Sequence, residues 1–205
     1  MCIRDRVLNT LDDNTSGTVN ANTVSTLTGS ASDLITAYAS GGISNLGDEA
    51  VSVSSGTAST SQANTLSTAT SGVVTATLSD GDLSTLAGLT ETGNAYSITI
   101  TDTSVDAAAL NTLDGKTTVD IDAANITTLT GTTADLNTAY ASAGISNLGD
   151  EAVTLSRHHP RGLHPQHPRR QHLRRHRCRH RHHPHWCCSG SQYRLRLSRY
   201  QQSRQ

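Results

Sequence analysis

Residues 33–51 read DLITAYASGGISNLGDEAV and residues 135–153 read DLNTAYASAGISNLGDEAV, two copies that differ only at Ile35/Asn137 and Gly41/Ala143. They lie 102 residues apart, and at that offset residues 8–54 align on residues 110–156 without a gap. Outward from this pair, the tripeptide Asn-Thr-Leu begins at Asn9, Asn64 and Asn111, with spacings of 55 and 47 residues. At the first of these spacings Thr15-Ser16-Gly17 returns as Thr70-Ser71-Gly72. A register held this long in a Ser/Thr/Ala-rich chain marks a tandem repeat. The units of such a repeat bury their apolar faces against one another rather than alone.

The register covers residues 7–156 and breaks at both ends. Residues 1–6, Met-Cys-Ile-Arg-Asp-Arg, match nothing in it and resemble the translation of a sequencing-library adapter, so Met1 is not expected to be the native start. After Ser156 the composition inverts. All ten His, all four Pro, the single Trp and thirteen of the sixteen Lys and Arg lie at or after Arg157, and no Asp or Glu does. The abundant residues share codons that begin in C, the signature of a frame displaced by one nucleotide. In the shifted frame Pro165 to His172 permits L-N-T-L-D-A-N-T, Gln192 to Leu197 permits N-T-A-Y-A-S, and Ser198 to Arg204 permits A-G-I-S-N-L-G. Residues 157–205 are therefore expected to be a frameshifted repeat and, as a polycation with little to bury, disordered if translated. Two other readings of this basic His/Arg-rich tail compete: a metal site around Cys178, Cys187 and Cys188, and an Arg-rich nucleic-acid-binding segment. No zinc-finger spacing of Cys and His supports the first, and neither explains a hidden in-register repeat.

Residues 7–156 contain no Cys, His, Trp, Phe, Pro, Met or Arg. Short β-branched segments recur near Val19, Val51-Val53, Val73-Val74, Ile98–Ile100, Ile121 and Val153, most of them bounded by Gly, Asp or Asn. They lie about 23 or 32 residues apart, and Ser97 to Thr101 alternates apolar and polar as a half-buried strand should. Between them Val105 to Leu113 and Ala134 to Ser142 read as helices. Leu110 and Leu113 share one face of the first; Leu136, Ala139 and Tyr140 share one face of the second. Asp114-Gly115 supplies a stop. Thr132/Asp135, Ser30/Asp33 and Ser79/Asp82 have the spacing of a capping box. Strands and short helices alternating in this way predict an α/β chain, a repetitive right-handed solenoid of short parallel strands and short helices. The alternatives are a β-solenoid or β-sandwich repeats.

Composition also limits the chemistry. Without His or Cys in residues 7–156, a Ser-His or Cys-His nucleophile is excluded there, and no Walker-type phosphate loop occurs. No apolar run approaches the roughly 20 residues of a membrane span. Sixteen acids against one base, Lys116, give the stretch a net charge of −15, which opposes binding to nucleic acid and anionic membranes. Hard cations prefer clustered carboxylate and carbonyl oxygens, so calcium is the cofactor to consider. The candidate ligands are Asp80 and Asp82, Asp120 and Asp122, Asp48 and Glu49, and their copies Asp150 and Glu151. No EF-hand loop or GGxGxD nonapeptide is present, and acids that recur with the repeat equally suit caps, turns and solubility. Asn125-Ile126-Thr127 fits a glycosylation sequon. The Asn of Asn-Thr-Leu is expected either to form a stacked hydrogen-bond ladder or to lie exposed on a helix.

The runs Asp33 to Val51, Asp135 to Val153 and Thr90 to Gly115 (TETGNAYSITITDTSVDAAALNTLDG) resemble repeat regions of very large secreted or cell-surface proteins of marine bacteria, described as adhesin-like or hemolysin-type calcium-binding. The resemblance covers residues 7–156 and implies an extracellular or cell-surface adhesive or scaffolding role. It supplies no site residues, because the glycine-rich calcium motif that names such proteins is missing. The expectation is a structural, non-enzymatic repeat segment whose partners are its neighbouring repeats and extracellular glycans. The rivals are a repeat scaffold carrying a catalytic domain encoded elsewhere, and a metal- or nucleic-acid-binding protein acting through the basic tail.

Overall fold

The computed structural model describes residues 1–156, and the expectations placed on residues 157–205 lie outside the described residues. The chain is mixed α/β. In order its elements are β1 (Cys2–Arg4), α1 (Asp5–Asp13), β2 (Val19–Asn20), β3 (Thr26–Ser30), α2 (Ala31–Ala39), β4 (Ile43–Ser44), β5 (Ala50–Ser55), α3 (Thr60–Ala69) and β6 (Val74–Thr77). There follow α4 (Leu83–Leu86), β7 (Ala95–Ser97), β8 (Ser104–Asp106), α5 (Ala107–Asp114), β9 (Ile121–Asp122), β10 (Thr128–Gly131), α6 (Thr133–Ala141), β11 (Ile145–Ser146) and β12 (Ala152–Leu155). One sheet has the order β1-β3-β5-β6-β7 and a second β12-β10-β8, while β2-β4 and β11-β9 form two-stranded ladders. Every ladder among the described residues is parallel.

One register step recurs in the first and last parts of the described residues. Cys2 lies opposite Thr26 and Thr26 opposite Ala50; Ser104 lies opposite Thr128 and Thr128 opposite Ala152. Val19 opposite Ile43 and Ile121 opposite Ile145 keep the same 24-residue step. Parallel neighbours need a crossover, and here a helix of eight to ten residues supplies it in each full unit. Each such helix is opened by a side-chain cap. Ser30 accepts from the Asp33 N–H (3.1 Å), Thr132 from Asp135 (3.2 Å), and Asp106 from Ala108 and Ala109 (3.1 and 3.2 Å). Ser59 and Gln62 form a reciprocal capping box on α3.

Helix exits repeat as well. Ser40, Thr70 and Ser142 each accept from the N–H two residues on, at Gly42, Gly72 and Gly144, all at 3.0 Å. At Gly72 a Cβ would run into the Glu49 carbonyl of the preceding unit, so close main-chain approach demands glycine there. The core lies between helices and sheet. Leu34, Leu66, Leu110 and Leu136 point inward from the helices onto Leu27, Val51, Val74, Val105 and Leu129 of the strands, all buried. Each such side chain contributes about 1.5–3 kcal/mol of transfer free energy. Ala31, Ala37, Ala63, Ala107 and Ala139 are also buried, and their size lets the helices sit close to the sheet.

Several expectations change. Val105 belongs to β8, and α5 starts two residues later because Asp106 caps it. The Ser79/Asp82 box does not form: Asp82 is itself the N-cap of α4, while the Ser79 hydroxyl donates to the Ala58 carbonyl of the adjacent unit. Strands β3 and β10 (TLTGS, TLTG) carry one strongly apolar residue each and announce themselves only by the company they keep in the sheet. Ser97 to Thr101 does alternate in burial, with Ile98 and Ile100 inside.

Residues 1–6 occupy the place that Thr103 to Ala108 take 102 residues later, and their chemistry fits it poorly. Arg4 stands where Asp106 caps a helix and makes no side-chain cap bond. Asp5 stands where Ala107 is buried; it is 3% exposed, its Oδ2 has no partner among the described residues, and burial pushes its carboxyl above the usual range. A folded-state pKa above the unfolded value means that the charged form opposes folding, and increasingly so as pH rises through that range. Arg4→Asp is expected to stabilise by about 1 kcal/mol through the restored cap. Asp5→Ala should also raise the melting temperature at pH 7, with the gain disappearing below about pH 4. Calorimetry of the two variants checks this; a lower melting temperature for Asp5→Ala at neutral pH would contradict it.

Candidate functional site

The polar groups that the fold brings together lie between successive units, where three devices recur. The first belongs to Asn-Thr-Leu. Asn9 Nδ2 donates to the Asp33 carbonyl (2.9 Å), Asn111 Nδ2 to the Asp135 carbonyl (2.9 Å), and Asn64 Nδ2 to the Gly88 carbonyl (2.8 Å). The asparagines neither stack on one another nor point into solvent; each crosses to the main chain of the next unit. Asn64 is the best satisfied, since its Oδ1 also accepts from the Thr90 N–H (3.1 Å).

The second device joins a helix to the acidic turn that follows it. The Tyr38 hydroxyl donates to Glu49 Oε1, and the Tyr140 hydroxyl to Glu151 Oε1, at the same offset as the repeat. The Gly47 N–H (3.0 Å) and the Gly149 N–H (2.9 Å) donate to the same carboxylates. Asn45 and Asn147, both at φ 62, turn the chain into this loop. Burial first, then the Glu49 carboxylate, drive the Tyr38 hydroxyl far above its ordinary range, whereas the Glu151 hydrogen bond raises Tyr140 to about 12. For Glu151 itself burial pushes upward, but the Gly149 N–H and the Tyr140 hydroxyl outweigh it and hold the carboxyl below the usual value. Both phenols are therefore neutral donors throughout the physiological range. A raised phenol pKa gives stability that is complete below pH 10 and is lost only above it.

The third device anchors the helix exits. Ser142 Oγ donates to Asp114 Oδ2 (2.7 Å) and Ser40 Oγ to Asp12 Oδ2, so a carboxylate at the end of one helix holds the turn of the next unit. A Cβ on Gly42 or Gly144 would overlap these carboxylates.

The candidate calcium ligands are distributed among these structural tasks. Glu49 is 2% exposed and held by Tyr38 and Gly47, while its neighbour Asp48 is exposed. Glu151 is held in the same way beside exposed Asp150. Asp80 Oδ2 accepts from the Thr60 N–H of the preceding unit (2.6 Å). Asp82 caps α4; its bonds from the Ser84 hydroxyl and the Thr85 N–H keep its carboxyl below the usual range. Asp122 accepts from the Ala124 N–H (3.1 Å) and Asn147 Nδ2 (2.8 Å), and Asp120 is exposed. Among the described residues no three His, Cys, Asp or Glu side chains converge as a metal cluster. The sequence pairs are thus brought near their own helices and turns, not into one cage.

Among the described residues a groove of about 730 Å³ lies beside α3, lined by residues that include Ser61, Asn64, Thr65, Thr68 and Thr90, none of the lining charged or aromatic. It opens because α4 is only four residues long and covers less of α3 than a full helix would. Two of its hydroxyls are engaged within α3: Thr65 donates to the Ser61 carbonyl (2.9 Å) and Thr68 to the Asn64 carbonyl (2.8 Å). Composition did not signal this groove; only the shortened unit reveals it. Comparison of the chain with protein-family models, curated proteins and solved structures finds no match.

The two copies of the Tyr–Glu bond provide an internal control. Tyr38→Phe leaves a buried carboxylate short of a donor and is expected to cost about 1–3 kcal/mol. Tyr140→Phe, where the hydroxyl and Glu151 are more accessible to water, should cost clearly less. Urea unfolding of both variants measures the difference, and equal effects would contradict the assignment.

Proposed function

We propose that this chain is a structural and adhesive repeat segment of a large extracellular or cell-surface protein, built as a right-handed α/β solenoid and without catalytic activity of its own. The observation that carries the reading is the 24-residue parallel step shared by the first and last parts of residues 1–156, with caps, exits and cross-unit bonds that return at the 102-residue offset. In a chain of such units each contacts its neighbours alone, so length is added at nearly constant stability per unit. Right-handedness follows from the strong preference of parallel strand–helix–strand connections.

The chemistry of the surface supports the same role. Many of the carboxylates in residues 7–156 serve as caps and latches, as described above, and the net charge of −15 keeps adjoining copies of a long chain apart in solution. The uncharged hydroxyl-lined groove beside α3 suits neutral polar polymers such as extracellular glycans better than polyanions. Of the carboxylates considered for calcium, Glu49, Glu151, Asp80, Asp82 and Asp122 spend oxygens on main-chain N–H groups, hydroxyls or an amide, while Asp48, Asp120 and Asp150 are exposed, and the reading does not depend on calcium. Among the described residues no helix is long and apolar enough to cross a membrane.

An antibody raised against residues 33–51 tests the reading in the source cells. Labelling of intact, unpermeabilised cells or of their secreted material is expected. Labelling that appears only after permeabilisation would contradict an extracellular role. Detection of a peptide such as Ser198 to Arg204 would instead favour a protein acting through its basic tail.

A further inference from the structure

The 102-residue repeat places two copies of one surface in different surroundings, and the difference identifies what one of them lacks. In the first copy, β5 lies between β3 and β6, and α2 lies between α1 and α3. Val51 is 1% and Val53 9% exposed. The Val51 N–H donates to the Val73 carbonyl (3.0 Å), Thr70 Oγ1 to the Glu49 carbonyl (2.7 Å), and the Ser71 N–H to the Gly47 carbonyl (2.8 Å). In the second copy, β12 is the edge strand of its sheet among the described residues. Val153, the counterpart of Val51, is 50% exposed; Leu155, the counterpart of Val53, is 61% exposed; Tyr140 is 43% exposed. The sequence of this surface is nearly unchanged, so its apolar residues were selected for an interior that the first copy has and the second does not.

We propose that the face formed by β12 and α6 is the docking surface for one further strand–helix unit of the α3–β6 kind, continuous with the chain. Its strand pairs in parallel with β12, and its helix lies against α6 as α3 lies against α2. The occupant is argued from the residues that follow Ser156. In the first copy the covering helix carries Asn64-Thr65-Leu66, and in the shifted frame the next Asn-Thr-Leu falls at codons 166–168, 102 positions later. The residues after Ser156 therefore permit, in the shifted frame, a covering helix in the register that this face requires. Continuity with the β5–β6 interface selects this occupant over an unrelated partner, because the same residues already bind such a unit once. An open parallel edge flanked by exposed Val and Leu is also a template for unwanted pairing, which a following unit removes. The proposal rests on the stacked-repeat part of the reading above and is independent of where the protein resides.

Two chains test it: the 205-residue chain itself, and one whose gene has its frame restored after the Ser156 codon. Amide hydrogen exchange is followed by mass spectrometry at Ala152–Leu155, with Thr26–Ser30 as a folding monitor in the same sample. In the frame-restored chain, exchange at Ala152–Leu155 is expected to slow by about tenfold or more while Thr26–Ser30 is unchanged. Val153→Asp with Leu155→Asp in that chain should abolish the added protection and leave Thr128–Gly131 largely protected. Unchanged exchange at β12, or loss of protection at Thr26–Ser30 on restoring the frame, would overturn the proposal. So would a concentration-dependent dimer of the 205-residue chain that Val153→Asp and Leu155→Asp dissociate, since the face would then take a second copy.

Discussion

The structure depends on a parallel ladder whose partners are 24 residues apart. A parallel pair cannot be closed by a tight turn, so each step must contain a strand, a helix that returns the chain, and two changes of direction. With so few residues available, every helix has to begin and end at fixed positions. That requirement accounts for the composition. Ser, Thr, Asp and Asn are numerous because each crossover consumes a cap at its start, a hydroxyl or carboxylate at its exit and a cross-unit bond along its flank. The acids and asparagines that invite a ligand reading are the same residues that hold the step constant.

The middle of the chain shows what happens when the step shortens. Val51 pairs with Val74 and Thr75 with Ala95, closer in sequence than the ladder elsewhere. The crossover that loses most is α4, reduced to Leu83–Leu86. Asn64 adapts by bonding the Gly88 carbonyl and the Thr90 N–H instead of the main chain of a full helix, and the surface beside α3 opens into a groove. Tyr96, 1% exposed, fills volume that a longer helix would supply elsewhere.

Much of this was legible from residues 33–51 and 135–153. The repeat, the alternation of strands and helices, the helix at Ala134 to Ser142 and its cap at Thr132 all follow from period and capping chemistry. The weak strands did not. Thr26–Ser30 and Thr128–Gly131 have too few apolar residues to show alternation, and they are strands because neighbours on both sides supply hydrogen bonds. The Asn-Thr-Leu asparagines were recognisable as a repeated feature, but their bond to the next unit is a tertiary fact without a local signal. The capping box at Ser59 and Gln62 was open to sequence reading. Ser79 and Asp82, with the same spacing, form none because Ser79 is drawn to the adjacent unit. The carboxylates were visible as recurring residues, whereas their employment by tyrosines and backbone N–H groups depends on the step that brings them together.

The most direct measurement is to insert a further copy of residues 8–109 after Ala109 in the full chain, in the register of the 102-residue repeat, and to follow thermal unfolding with residue-level amide exchange. If identical units stack through one constant ladder, the enlarged chain unfolds at a temperature no lower than the original. Thr26–Ser30 and Thr128–Gly131 then keep their protection, and the inserted copy matches them. Loss of protection in those flanking strands, or an inserted copy that exchanges as freely as an unfolded chain, would contradict the account.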